Sequence, residues 1–236
     1  LIATSPVRAE IKVVTTIKPL HSLIANVMDG VGEPSLIIEG STSPHSFTLK
    51  PSHAKLLEEA DLIFWVGEGI ETFMERPLES IVKNAEVVEF MEIESIEKLK
   101  FREESIYGDH DDHDDHDEDH DDHDDHDDHD DHDDHDDNDD HDDHAGHEGH
   151  NHGEFDAHIW LDPSTAKEMV HEIAHELGDL DPANKDKYEA NAEATIIALD
   201  QLIKDVSKDI NKDAKFVVFH DAYQYFEERF GVRAAG

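Results

Sequence analysis

Histidine and aspartate fill almost the whole stretch from Asp109 to His144, mostly as the triplet His-Asp-Asp. Imidazole and carboxylate groups are the ligands that borderline and hard divalent cations prefer in proteins. The stretch contains no lysine, arginine or apolar residue with which to build a hydrophobic core. The pattern therefore indicates metal binding by a mobile tether rather than by a folded unit.

This segment is expected to hold several weak, exchanging cation sites. In an extended, polyproline-like form, the histidines of successive triplets would lie roughly 9 Å apart along one edge, so two neighbours share an ion only across a bend. The alternative interpretation is an acidic linker without a metal role. The candidate auxiliary ligands are His110, His113, His116, His120, His123, His126, His129, His132, His135, His141, His144, His147, His150 and His152.

Three other histidines lie in loops at or near the ends of predicted strands, where α/β sheets place ligand groups. His45 is in the loop after the second strand, His158 belongs to the segment 156–163, and His220 directly follows the apolar run 216–219. Three neutral imidazoles supply most of a tetrahedral zinc site without excess charge. Each histidine alone is typical of a capping or surface residue, and only the set favours a metal site.

Strands and helices alternate in the chain before the His/Asp-rich segment. Short β-branched or apolar runs predict strands, and apolar residues at helical spacing predict the helices between them. This alternation predicts a parallel sheet covered by helices on both faces, which is an α/β lobe. The predicted strands are 12–17, 35–38, 61–66 and 86–90, and the predicted helices are 20–28, 51–60 and 70–83.

The part of the chain after the His/Asp-rich segment is mostly helical by pattern. Helices are predicted at 164–177 and at about 183–210, and the longer one would span roughly 40 Å, which favours a strut between two lobes. A strand is predicted at 215–219 and a helix at 221–230. Because one strand and one helix cannot bury their own apolar faces, we expect a second lobe of which this chain contains only the beginning.

The net charge of −42 limits the classes of partner, and 26 of the 61 acidic residues lie between 109 and 154, where there is no base. An anionic surface attracts cations and argues against nucleic acid or anionic lipid as a partner.

The absence of cysteine excludes disulfides and thiolate metal sites. No apolar run approaches the ~20 residues that span a bilayer. Small residues around Val7-Arg8-Ala9 resemble the end of a signal peptide and favour export.

Several motifs resemble those of the periplasmic zinc-binding proteins of ABC importers, a family of metal receptors with manganese-binding relatives. The resemblance extends from Ile11 to Gly236 outside the insert, and a histidine- and acid-rich insert at this point is itself typical of the zinc branch. The motifs are Ser43-Pro44-His45-Ser46-Phe47, Leu49-Lys50-Pro51-Ser52, Ala60-Asp61-Leu62, Asp156-Ala157-His158-Ile159-Trp160-Leu161-Asp162-Pro163 and Phe219-His220-Asp221-Ala222-Tyr223.

The resemblance implies two α/β lobes, each with a parallel sheet flanked by helices, joined by a single long helix. It implies Zn²⁺ bound in the cleft by His45, His158 and His220, without catalysis. Histidine at the third position favours zinc, because manganese-type relatives have a carboxylate there and nitrogen donors suit zinc better than manganese. Some zinc members have a glutamate where this chain has Pro44. The fourth ligand is then expected to be water or a carboxylate from the remainder of the second lobe.

These expectations define a periplasmic, monomeric receptor that delivers zinc to the membrane permease of an ABC importer. A periplasmic zinc chaperone is a further candidate partner, and neither nucleic-acid binding nor membrane insertion is expected. The expected divisions are a signal-peptide remnant at 1–9, an N-terminal lobe at 10–108, a disordered metal-binding loop at 109–154, completion of that lobe at 155–182, a linking helix at 183–210 and the start of a C-terminal lobe at 211–236.

Functions of other classes remain open on the sequence alone. His171-Glu172-Ile173-Ala174-His175 matches the His-Glu-x-x-His pattern of zinc metallohydrolases, in which Glu172 would act as general base. The predicted buried stripe of this helix places His171 and His175 on the opposite, solvent-facing side, which favours coincidence. A metal buffer that binds only through the His/Asp-rich segment, and a manganese receptor of the same fold, also fit the sequence. The predicted stripe consists of Ala166, Met169, Val170, Ile173 and Leu177.

Overall fold

Four parallel strands form a single sheet in a computed structural model that describes residues 11–102 and 154–235. The strand order is β2-β1-β3-β4, and Val14 in β1 lies in register with Ser35 on one side and Ile63 on the other. The predicted parallel α/β sheet is therefore confirmed. The strands are β1 Val13–Thr15, β2 Ser35–Leu36, β3 Leu62–Trp65 and β4 Glu86–Glu89.

Helices connect the strands, and three further helices follow the last strand among the described residues. The crossover from β1 to β2 runs in one direction along the sheet, and those from β2 to β3 and from β3 to β4 run in the other. Right-handed crossovers therefore place α1 on one face and α2 and α3 on the other. The helices are α1 Lys18–Val27, α2 Pro51–Glu59, α3 Glu75–Ser80, α4 Pro163–Leu180, α5 Lys185–Asp209 and α6 Gln224–Phe230.

The core lies between the sheet and these helices. All four residues of β3 are buried, as expected for a central strand that is covered on both faces. Phe64 stacks on Phe90 with ring centroids 5.8 Å apart, and Leu20, Ile24 and Val27 bury one side of α1. α4 packs along α5, and both contact α1.

α4 has the buried face that its apolar spacing predicts, since Ala166, Met169, Val170, Ile173 and Leu177 are all buried. The helix begins after Asp162, whose carboxylate accepts a hydrogen bond from the amide of Ser164 at 2.8 Å. α5 runs antiparallel to α4 after a short turn. The predicted long helix is thus present, and its role as a connection between two lobes stays a prediction.

Three predicted elements differ in the structure. The predicted strand at 215–219 is wrong. Val217 and Phe219 are 77% and 96% exposed, and the backbone hydrogen bond that the run receives from another segment, from the amide of Ala235 to the carbonyl of Phe216 at 2.8 Å, does not extend into the ladder that a strand requires. The helix predicted from 221 begins instead at Gln224. The helix predicted at 70–83 is reduced to a 3₁₀ turn followed by α3, because Pro77 is tolerated only in a first helical turn.

The predicted signal-peptide remnant at 1–9 and the His/Asp-rich segment lie outside the described residues, except for Glu154. None of the described helices is long and apolar enough to cross a membrane. The proposed division of the chain into lobes stays a prediction.

Candidate metal centre

His45 is placed by a single 3₁₀ turn in the loop between β2 and α2. The turn comprises Pro44–Ser46 and is closed by the amide of Phe47, which donates to the carbonyl of Pro44 at 3.4 Å. The ring of Phe47 is held between His53 and Phe73, with centroid distances of 5.4 and 5.0 Å. These contacts fix the end of the loop, and His45 itself is half-buried.

His158 lies where the chain returns to the lobe after the His/Asp-rich segment, and it is only 8% exposed. One carboxylate oxygen of Asp156, which is 2% exposed, accepts hydrogen bonds from Nδ1 of His158 at 2.7 Å and from its backbone amide at 3.0 Å. A carboxylate acceptor keeps the proton on Nδ1, so the lone pair of Nε2 is available to a metal ion.

His220 lies in the bend between the run 216–219 and α6, and it is exposed. The amide of Ala222 donates to the carbonyl of His220 at 2.9 Å, which tightens the bend just before the helix. The position of His220 therefore depends on where α6 docks.

The structure brings all three predicted histidines to one point. Their ring centroids are 5.2 to 5.8 Å apart, and one ligand atom from each lies within 4.8 Å of the others. The Nε2 atoms of His158 and His220 are 3.4 Å apart. Two nitrogens bound tetrahedrally to one zinc ion lie about 3.3 Å apart, so this separation fits a shared ion. Within residues 11–102 and 154–235, no other group of three potential ligands converges in this way.

α6 is fastened to both ends of the segment that contains His158. At one end, the hydroxyl of Tyr225 donates to the carbonyl of Asp156 at 2.6 Å. At the other, the guanidinium of Arg229 makes two hydrogen bonds of 2.7 Å to the carboxylate of Asp162. Burial raises the pKa of Tyr225 to about 12, so its hydroxyl remains a donor at physiological pH. α6 thus holds the second and third histidines in register.

The sequence patterns did not predict the hydrogen bonds that α6 makes to Asp156 and Asp162. They also did not predict the buried position of Glu71. Glu71 is fully buried between the loops that follow β1 and β3, which is the point where the strand order reverses. Its carboxylate accepts hydrogen bonds from the hydroxyl of Thr16 at 2.5 Å and from the amides of Val66 and Gly67 at 3.3 and 3.1 Å. Burial raises the pKa of Glu71 to about 7, although these hydrogen bonds oppose the rise.

The remaining candidates do not assemble a second converged site among the described residues. His171 and His175 are exposed on the side of α4 away from its buried stripe, as predicted, and no described third ligand lies within 4.8 Å of both. The metallohydrolase alternative needs three converged ligands in a cleft, so this geometry does not support it. The auxiliary histidines from His110 to His152 lie outside the described residues.

Known proteins resemble this chain over almost its whole length. The family described as ZnuA, zinc-uptake complex component A, periplasmic, matches residues 13–236. The high-affinity zinc uptake system protein ZnuA of Brucella abortus is 50% identical over 95% of this chain, and that of Yersinia pestis is 33% identical over 97%. The chain spans 66% and 65% of the lengths of these two relatives.

The fold is shared with solved structures of much lower identity. The Zn(II)-bound AdcA of Streptococcus pneumoniae matches 96% of this chain and 39% of its own, with a TM-score of 0.67 and 20% identity. A crystal structure of ZnuA matches with the same TM-score at 21% identity, over 95% of this chain and 69% of that one. With an α/β sheet, three converged histidines and a family match over nearly its whole length, the chain belongs to the ZnuA family of periplasmic zinc-uptake components.

Proposed function

We propose that this chain captures Zn²⁺ with His45, His158 and His220, as part of a periplasmic receptor that delivers the ion to the permease of an ABC importer. The observation that carries the proposal is the convergence of three imidazoles from distant parts of the chain within 4.8 Å. The relatives named as high-affinity zinc uptake proteins support the same conclusion. The role is binding and release, without catalysis.

The chemistry of the ligand set favours zinc over manganese. Three neutral nitrogen donors suit zinc, whereas manganese prefers carboxylate, carbonyl and water oxygens. Asp156 keeps one histidine in the binding tautomer before the ion arrives, which lowers the cost of ordering the site. A manganese receptor of the same fold is the rival, and equal competition by Mn²⁺ against bound Zn²⁺ would favour it.

Exposure of the ligands indicates the direction of entry. His158 is buried, His45 half-buried and His220 exposed, so an ion would approach from the side of His220. Three histidines leave one tetrahedral position for water or for a carboxylate contributed by residues that lie beyond this chain in its longer relatives.

The His/Asp-rich segment would supply ions to this site. The two chain ends that flank it are held together, because Lys100 forms an ion pair with Glu154 and an antiparallel bridge with Phe155. Glu154 is only four residues before His158. Ions that exchange among the weak ligands of the segment would therefore have a high effective concentration near the cleft.

Chelator competition tests the tight site. Zinc is titrated into the full chain against a chelator of nanomolar affinity, so that weak sites in the insert do not register. His45→Ala, His158→Ala and His220→Ala are each expected to lower the affinity at least tenfold. The matched control His171→Ala, at an exposed position of α4 outside the cleft, is expected to leave it unchanged. Unaltered affinity in all three variants would point to a buffer that acts only through the insert.

Deletion of 109–152 tests the supply role. The tight site is expected to remain, and the additional weak stoichiometry seen by calorimetry is expected to disappear. Unchanged total stoichiometry would show that the segment is an acidic linker. We also propose that the receptor is exported and monomeric, and that a periplasmic zinc chaperone is a partner. Sedimentation of the metal-bound chain at micromolar concentration tests whether it is a monomer.

A further inference from the structure

A groove of about 580 Å³ runs between α4 and α5, on the solvent side of this helix pair. Its walls include two histidines from α4, His171 and His175, and two glutamates from α5, Glu189 and Glu193. The apolar part of the lining comprises Ala174, Ala192, Ile196 and Ile197. The cleft histidines play no part in this groove.

The two pairs have the same spacing and face each other. Residues four apart lie on one side of a helix, one turn from each other, so each pair forms a short row along its own helix. α4 and α5 are antiparallel around a short turn, and a Cβ added at Gly178 would lie 3.0 Å from Cγ of Lys185, which sets the register near the turn. Continuing this register away from the turn places His175 level with 188–189 and His171 level with 192–193, so Glu189 and Glu193 belong to the turns of α5 that lie beside the two histidines.

We propose that this groove is a second divalent-cation site, in which His171 and His175 bind a zinc-like ion and Glu189 or Glu193 completes the coordination from the opposite helix. Two imidazoles one helical turn apart can bind one ion from a single helix, as in the His-Glu-x-x-His pattern. Carboxylates from a facing antiparallel helix supply oxygen ligands, in the way that helix bundles build metal sites between their helices.

The surrounding charges are compatible with a cation. Among the described residues that line the groove, Lys185 is the one lysine or arginine, and its ammonium is engaged by the carboxylate of Asp179 at 3.2 Å. Nε2 of His175 lies 3.8 Å from the other oxygen of Asp179, so that a further acceptor stands close to the histidine pair. Glu189 and Glu193 then outweigh the remaining positive charge in the groove.

This site would be weaker than the cleft and independent of it. Among the described residues, the cleft histidines are the one group of three or more potential ligands whose atoms already lie within 4.8 Å of one another, so the groove ligands must turn from exposed positions toward a common ion. Ordering exposed side chains reduces affinity. A bound ion would link α4 to the long helix α5, so its expected effect is to stabilise the helix pair at high zinc concentration.

Anomalous diffraction at the zinc edge locates such an ion directly. Crystals of the full chain in excess Zn²⁺ are expected to show a peak in the cleft and a peak between α4 and α5, apart from any ions that the His/Asp-rich segment binds. The His171→Ala/His175→Ala variant should lose only the groove peak. A matched control, His175→Ala/Asp179→His, keeps two histidines on this face of α4 but places them about 12 Å apart. This variant should also lose the groove peak.

Thermal unfolding provides a second readout in solution. After the cleft is saturated, further Zn²⁺ is expected to raise the unfolding temperature of the wild-type chain more than that of either variant, while affinity at the cleft remains the same in all three. The proposal is overturned by a filled cleft with no groove peak, by a groove peak that persists in the control, or by equal temperature increments in wild type and variants. None of these results would affect the proposed cleft function.

Discussion

The hydroxyl of Tyr225 donates a hydrogen bond of 2.6 Å to the backbone carbonyl of Asp156 and accepts one of 2.9 Å from the amide of Leu99. α6 begins four residues after His220, and Asp156 lies two residues before His158. One buried side chain therefore connects the segments that hold two of the three proposed metal ligands. Correct placement of His220 depends on this contact, because the run before it is largely exposed.

Tyr225→Phe is expected to weaken both the fold and the site. Loss of the hydroxyl removes the partner of two backbone groups in a buried region, which costs about 1–3 kcal/mol. We expect the free energy of unfolding to fall by that amount and zinc affinity to fall roughly tenfold as His220 loses its register. Urea unfolding and chelator competition measure the two quantities. Tyr223→Phe, at a more exposed position in the preceding bend, is the control; equal effects from both variants would contradict the role assigned to Tyr225.

Asp156→Asn is expected to reduce zinc affinity by about 10–100-fold, the usual effect of removing a carboxylate that orients a metal-binding histidine. An amide holds the ring less firmly and no longer favours the proton on Nδ1, so Nε2 is less available to the ion. The measurement is the zinc dissociation constant at neutral pH. A variant that binds zinc as tightly as the wild type would show that the 2.7 Å contact does not orient the ligand.

The metal-free fold is expected to lose stability as the pH rises from about 5 to 7. In the unfolded chain a glutamate releases its proton near pH ~4.3, whereas burial raises the pKa of Glu71 to about 7 in the fold. The folded state therefore binds the extra proton in this window, and the free energy of unfolding falls as that proton is lost, by roughly 3 kcal/mol for a shift of this size.

Glu71→Gln tests this pH dependence, because glutamine stays neutral and keeps an oxygen acceptor for Thr16. Urea unfolding of the metal-free chain at several pH values is expected to show a flatter slope for the variant than for the wild type. Burial also raises the pKa of Glu89 to about 7, and Glu89 remains in this variant. The slope of Glu89→Gln, measured in the same way, separates the contribution of Glu89 from that of Glu71. An identical slope in wild type and Glu71→Gln would contradict the assignment.

Gly67→Ala is expected to destabilise the fold by about 1–3 kcal/mol, because its backbone occupies a region that is nearly exclusive to glycine. The φ angle is +145°, and a Cβ there would lie 2.6 Å from Oε1 of Glu89 and 3.2 Å from Met91. Gly40 also has a positive φ, of +77°, but a Cβ there would meet nothing within 4 Å. Gly40→Ala should therefore lower the free energy of unfolding by less, as measured by urea unfolding. An equal decrease in the two variants would mean that backbone strain alone, without the contacts to Glu89 and Met91, explains the effect of Gly67→Ala.

Zinc binding at the cleft is expected to weaken strongly between pH 7.5 and pH 5. Each of the three imidazoles must be neutral to bind, so protons compete with the ion more strongly as the pH falls. Chelator competition at several pH values measures the change. Nearly constant affinity across this range would exclude a site made of three histidines.

Local sequence patterns determined the elements of this protein but not the contacts between them. Short β-branched or apolar runs predicted β1, β3 and β4, and the helical spacing of apolar residues predicted the buried stripe of α4. The run 215–219 has the same local signal, yet it forms no strand, since a strand also depends on a neighbour that local pattern cannot supply.

The same distinction between local pattern and tertiary contact applies to the candidate metal site. Residue types and motifs were enough to identify His45, His158 and His220 as candidate ligands. Only the tertiary structure decided that Nε2 of His158 and His220 lie 3.4 Å apart, that Asp156 orients one of them, and that Glu71 is buried where the strand order reverses. The physical reason is that these relationships join residues far apart along the chain, whose distance is set by how sheet and helices pack rather than by any local preference.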